Sequence, residues 1–132
     1  MAETVDLRIP RKAEWVAVAR LTVAGIASRL HFTIEDIEDV KLAVAEACTN
    51  AIQAPDGGAF IEIRCDVDGD RLRVAVVNSV DGAAPPRAEV LDEELSVDGL
   101  GVFLIRSLMD DVEYEDVPDR GKQLVMVKRL AS

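Results

Sequence analysis

The chain is poor in the residues that build metal cages and covalent cross-links. It has one histidine, His31, and two cysteines, Cys48 and Cys65, among 132 residues. Zinc is held by clustered Cys and His ligands, and no such cluster exists here. His31, following a helical segment, reads as a cap or surface group. Both cysteines lie inside apolar segments and read as reduced, buried thiols of a cytoplasmic protein rather than a disulfide. Aromatic residues make up only 4% of the chain, so Val, Leu, Ile and Ala must build the core. Positive charge is also scarce: 15 Lys and Arg face 25 Asp and Glu, a net charge of -10. That balance argues against binding nucleic acid phosphates or an anionic membrane surface. It suits a basic protein partner and serves solubility equally well. No apolar run approaches the roughly 20 residues that span a bilayer. The opening MAETVDLRIPRK has no apolar signal segment. Internal repeats and low-complexity tails are absent too.

The length fits one domain, residues 1–132, with a real core. Its organising stretch is Leu42 to Ile52, LAVAEACTNAI. Ala and Leu favour helix, and no Gly or Pro interrupts them. Ile37, Val40, Val44, Ala47, Cys48 and Ala51 recur at spacings of three or four and form an apolar stripe. Glu46 and Asn50 sit off that stripe, one turn apart. Such a pair could hold a hydrated Mg²⁺ and take a proton, or could be ordinary surface polarity.

Around this helix the chain alternates between two periods. Val5, Leu7 and Ile9 mark a short strand that Pro10 stops. Residues 12–30 predict a helix, with Trp15, Val18, Ala19, Thr22, Val23, Ile26 and Leu30 at repeating positions. Thr33 is an N-cap signal, with Asp36 completing an imperfect capping box, and a second helix follows over about 34–53. Residues 55–58 are a turn. Phe60 to Val67 and Leu72 to Asn78 alternate as two strands joined by a tight turn at Asp68-Gly69-Asp70. Residues 81–98 are rich in small, acidic and proline residues and suggest a mobile segment with a short helix at 87–95. Gly99-Leu100-Gly101 opens a third helix through about Met109. Val112 to Val117 and Leu124 to Leu130 form two last strands around a turn at Pro118 to Gly121. The order β-α-α-β-β-α-β-β predicts an α+β two-layer sandwich: a mixed, largely antiparallel sheet with three helices on one face.

Three segments taken together, AGIASRL (24–30), IEDVKLAVAEACTNAIQ (37–53) and GLGVFLIRSLMDDVEY (99–114), closely resemble the RsbW/SpoIIAB family. Its members are bacterial anti-sigma factors that are also serine-protein kinases, within the ATPase superfamily of gyrase, MutL and sensor histidine kinases. The resemblance spans Val5 to Leu130. It implies a histidine-kinase-like ATPase fold with ATP and Mg²⁺ as cofactors. The implied partners are a sigma factor and an anti-anti-sigma (STAS-domain) protein, with homodimerisation usual in the family. By this resemblance Asn50 coordinates Mg²⁺ and Glu46 is the general base toward a partner serine. The Gly99-Leu100-Gly101-Val102 turn brings backbone to the phosphates at a helix N-terminus. Arg20, on the first helix, is the implied ionic contact with a partner. Trp15 is a candidate interface anchor, with core packing the favoured reading.

The chain departs from the family around the nucleobase. Members that bind ATP carry D-x-G-x-G, whose Asp accepts from the adenine amino group. Here the matching stretch is Asn78-Ser79-Val80-Asp81-Gly82, so Asn78 keeps an acceptor without the charge, and Gly82 is the glycine that survives. A Thr beside adenine is replaced by Gln123. These departures define an alternative expectation: a non-catalytic module that sequesters a sigma factor or STAS protein with a degenerate ATP site.

Overall fold

Alternating apolar residues along five segments close into one sheet in the computed structural model, which describes residues 2–53, 58–79, 99–117 and 121–129. The strands are β1 (Ala2–Pro10), β2 (Phe60–Asp68), β3 (Arg71–Ser79), β4 (Asp111–Val117) and β5 (Gly121–Arg129). Their spatial order is β1-β2-β3-β5-β4. All four pairings are antiparallel. β1 is longer than its alternation predicts, because it pairs with the whole of β2, from Ala2 opposite Asp68 to Pro10 opposite Phe60.

Among the described residues, three α-helices cover one face: α1 (Val16–Ser28), α2 (Ile34–Gln53) and α3 (Gly99–Leu108). The first does not begin at residue 12. A 3-10 turn over Ala13–Trp15 precedes it, and Lys12 provides no side-chain cap. The second starts where its cap signal lies: Thr33 Oγ1 accepts from the Asp36 N–H at 3.0 Å. Its first turn carries Glu35 and Asp36, which suit the positive end of the helix. His31 takes a positive φ of 64° in the link between α1 and α2. Helices α2 and α3 lie side by side, and the small side chains of Ala43 and Ala47 are buried along α2.

Residue parity sorts the sheet into two faces. Ile61, Ile63 and Cys65 of β2, Leu72, Val74 and Val76 of β3, and Leu124 and Met126 of β5 point toward the helices. They pack on Ala19, Val23 and Ala27 of α1, Val40, Val44 and Cys48 of α2, and Ile105 of α3. The opposite face carries Asp66, Arg73, Glu115 and Gln123, joined through Arg73 to Asp66 at 3.2 Å and to Glu115 at 3.4 Å. Both cysteine thiols are free and buried, and burial pushes each up to about 12. Nearby Asp66 and Asp6 add to the shift at Cys65. Among the described residues, no helix is long and apolar enough to cross a membrane.

Candidate functional site

The site is built on α2, and the surrounding structure fixes that helix near both ends. At its C-terminal turn, the Arg11 guanidinium donates to the Ala51 carbonyl at 3.1 Å. Carbonyls of a last helical turn lack partners within the helix, and a cation is favoured there. Toward its N-terminus, Lys128 of β5 is buried. Its Nζ donates to the Leu108 carbonyl at 2.7 Å and lies 3.9 Å from Asp36 and 3.8 Å from Asp39. One ammonium thus joins the C-terminal end of α3 to the first turns of α2. Neither contact is signalled locally in the sequence, since both depend on which distant segments the sheet brings together.

Between these braces lie Glu46 and Asn50. The latter faces the first turn of α3, where Gly101 has no side chain. A Cβ on Gly101 would fall 2.7 Å from Asn50 Nδ2, 2.9 Å from Oδ1 and 3.2 Å from Cγ. Carbon atoms normally sit about 3.5–4.0 Å from such neighbours. Only glycine therefore lets α3 approach the Asn50 amide this closely. Glu46, one turn before Asn50, is half-buried and makes no hydrogen bond or ion pair with another described residue. The first turn of α3 holds no acidic residue, and its only last-turn charge is Arg106. Its N-terminal end is thus compatible with an anion. Gly99 and Leu100 open this helix, and Val102 follows half-buried.

Among the described residues, two buried side-chain polar atoms lack a hydrogen-bond partner: Asn50 Nδ2 and Asn78 Oδ1. Such orphans are uncommon in folded proteins, and each costs about 1–3 kcal/mol. Asn78 lies on β3 opposite Ile61, with the parity of Val74 and Val76, so it belongs to the helix-facing side of the sheet. Both atoms belong to residues to which the resemblance assigns a role, Asn50 toward the metal and Asn78 toward the nucleobase.

The residues fit the groups the resemblance implies. A half-turn of the Asn50 amide exchanges Nδ2 for Oδ1, an oxygen suited to Mg²⁺. Mg²⁺ keeps several waters and is often bound through one or two protein oxygens plus substrate phosphates. Among the described residues, no group of three or more His, Cys, Asp or Glu is placed to hold a metal ion. The unpartnered Asn78 Oδ1 is an acceptor of the kind a purine amino group needs.

Not every expected residue joins this site. Gln123 was expected beside adenine, but it lies on the sheet face away from the helices. There its Nε2 donates to Glu115 Oε1 at 3.0 Å. Its neighbours Leu124 and Met126 take the core parity, which turns Gln123 the other way. Asp81 and Gly82, with Val80 and the 87–95 helix, fall outside the described residues. Arg20 is exposed on α1. Trp15 is not a core residue: it is 40% exposed, and Val18 and Leu21 on the same outer side of the helix are 38% and 65% exposed.

Comparison with known proteins gives the family of the chain. A family model described as the histidine kinase-like ATPase domain matches residues 9–128. The serine-protein kinase RsbW of Halalkalibacterium halodurans is 40% identical over 144 residues, covering 97% of this chain and 84% of the relative. The serine-protein kinase RsbW of Bacillus subtilis is 36% identical over 143 residues, covering 98% and 87%. In fold, the chain is similar to the crystal structure of the RsbU and RsbW domains of Rv1364c from Mycobacterium tuberculosis. That likeness has a TM-score of 0.72 at 13% identity, over 98% of this chain and 33% of the longer one.

Proposed function

The chain belongs to the histidine kinase-like ATPase domain family and, within it, to the RsbW serine-protein kinases; on that premise we propose that it is a cytoplasmic anti-sigma factor that phosphorylates a serine of a STAS-domain antagonist. Mg-ATP supplies the phosphoryl group and the charge neutralisation. The observation that carries this reading is the pair of unpartnered buried amides, Asn50 and Asn78, on the helix-covered side of the sheet.

Each residue then has a defined task. Asn50, beside the bare backbone at Gly101, would hold Mg²⁺ through its amide oxygen, and the ion would supply charge neutralisation at the phosphates. Backbone N–H groups at the start of α3 face the phosphates. Asn78 accepts from the nucleobase. Glu46 takes the hydroxyl proton of the partner serine as its oxygen bonds to the γ-phosphorus and the bond to the ADP oxygen breaks. Placing groups and neutralising charge account for most of such catalysis, so a half-buried carboxylate with no competing partner suits the base role. Docking of the sigma factor and the antagonist is assigned to α1 and the 3-10 turn before it, where Arg20 supplies charge and Trp15, Val18 and Leu21 supply apolar area. A homodimer and a single domain over residues 1–132 complete the proposal.

The test is transfer of labelled phosphate from ATP to a purified STAS-domain protein in Mg²⁺. Glu46→Gln should retain ATP binding and lose transfer by about 10²–10⁴-fold. Transfer at the wild-type rate by that variant excludes Glu46 as base. Absence of ATP binding at millimolar nucleotide would leave only sequestration without catalysis.

A further inference from the structure

We propose that Asn78 makes the nucleotide site purine-permissive, accepting guanine as well as adenine nucleotides. This rests on the reading of the site as nucleotide-binding and concerns what the base end of that site selects.

The argument starts from the chemistry of one side chain. The Asn78 Oδ1 is buried and has no hydrogen-bond donor. A carboxylate at this place would be an acceptor at both oxygens, whereas a carboxamide has one acceptor end and one donor end. A half-turn about its last torsion exchanges them in nearly the same volume. No described neighbour bonds the buried Oδ1, so no hydrogen bond there holds the amide in one orientation.

Purines differ where that choice matters. Adenine carries an amino donor at position 6, and guanine carries a carbonyl acceptor there. On the neighbouring ring nitrogen the order reverses: adenine N1 accepts and guanine N1–H donates. An amide oriented with oxygen toward position 6 and nitrogen toward N1 complements adenine. The flipped amide complements guanine at the same two atoms. A carboxylate complements adenine at position 6 but sets negative charge against the guanine carbonyl. A site built around a hydrogen bond rejects an analogue that cannot make it, because a buried group is left unpaired. Asn78 removes that penalty for guanine. Its location supports the assignment: it continues the core-facing row of Leu72, Val74 and Val76, at the end of β3 where the packed apolar residues give way to a polar one.

Pyrimidine nucleotides separate reading of the base from retention by phosphate alone. Titration calorimetry of the intact chain in Mg²⁺ with ATP, GTP and CTP provides the test, with Asn78→Asp measured alongside. The expected result is ATP and GTP affinities within about tenfold of each other and clearly weaker CTP binding. In Asn78→Asp, ATP should tighten while GTP weakens, widening the ratio on the order of 100-fold. ATP binding with GTP more than a hundredfold weaker overturns the inference and leaves the nucleotide site standing. Equal binding of all three nucleotides overturns it as well, since the base is then unread. If none of them binds, the site reading itself fails, and the inference with it.

Discussion

Replacing Gly101 by alanine tests the contact on which the proposed phosphate site depends. The added methyl would meet Asn50 Nδ2 at 2.7 Å and Cγ at 3.2 Å. Restoring ordinary contact requires the amide to retreat by about 0.8 Å, by leaving its rotamer or by parting α2 from α3. Two effects oppose each other in stability. Alanine in a helix is favoured over glycine by about 1 kcal/mol. Overpacking a tight contact costs about 1–3 kcal/mol. The net change in the wild-type background is therefore a loss of about 0–2 kcal/mol. With Asn50→Ala also present the obstruction is gone, and Gly101→Ala should stabilise by about 1 kcal/mol. A double-mutant cycle by urea unfolding should thus return a coupling of about 1–3 kcal/mol between positions 50 and 101. Function should respond more steeply. A displacement near 1 Å at a positioning group can lower turnover by about 10²-fold. Phosphoryl transfer should fall by that order while the protein remains folded. Additive stabilities within about 0.3 kcal/mol would mean that Gly101 and Asn50 do not constrain one another, and the site would have to be rebuilt.

Lys128→Met should destabilise the protein by about 2–3 kcal/mol, since it leaves the Leu108 carbonyl and two nearby carboxylates without their shared cation. Urea unfolding checks it, and a loss below about 0.5 kcal/mol would show that the brace between α2 and α3 contributes little. The cysteines give a pH signature. Each folded thiol is raised from an ordinary 9.0 to about 12, so the unfolded chain ionises first as the pH rises. Stability is retained below pH 9 and declines toward pH 12, by about 1.4 kcal/mol per thiol between pH 8 and pH 10. The stability gap between wild type and Cys48→Ala should narrow by that amount over the same interval. A gap independent of pH would refute the account.

The strands and α2 were legible because local signals agreed with burial. Thr33 and the three-four spacing of Val40, Val44 and Ala47 locate α2 at Ile34–Gln53, and strict alternation locates β2 and β3. Gln123 was expected beside adenine from its match to a family threonine, whereas β5 turns it toward Glu115 on the other face. Leu124, Val125 and Met126 are all buried, so alternation does not declare which side faces the helices. Ala75 and Val77 blur β3 in the same way, although Asn78 keeps the core parity. Trp15 was expected inside as one of the repeating positions of the first helix, but a 3-10 turn sets it before α1 and leaves it 40% exposed. Arg11 and Lys128 were invisible for a different reason. Their partners, Ala51, Leu108, Asp36 and Asp39, come from other elements, and no local pattern encodes such meetings.

The cost of the site argues that both of its ends are used. Two buried amide atoms without partners cost about 2–6 kcal/mol together, a large part of the roughly 5–15 kcal/mol by which a domain is stable. An apolar residue of similar shape at either position would remove that cost, as the surrounding residues Ala47, Val76 and Ile105 show by packing without polar atoms. The chain instead holds Asn50 against a glycine that admits nothing larger, on a helix anchored by Arg11 at one end and Lys128 toward the other. Such bracing keeps an unsatisfied group from finding a partner by collapse. A bound ligand that supplies an acceptor to Asn50 Nδ2, or a cation to its oxygen once the amide is turned, and a donor to Asn78 Oδ1 would return the missing interactions together. Binding at one end should therefore favour binding at the other, which is how a neutral Asn78 can serve in place of a charged residue.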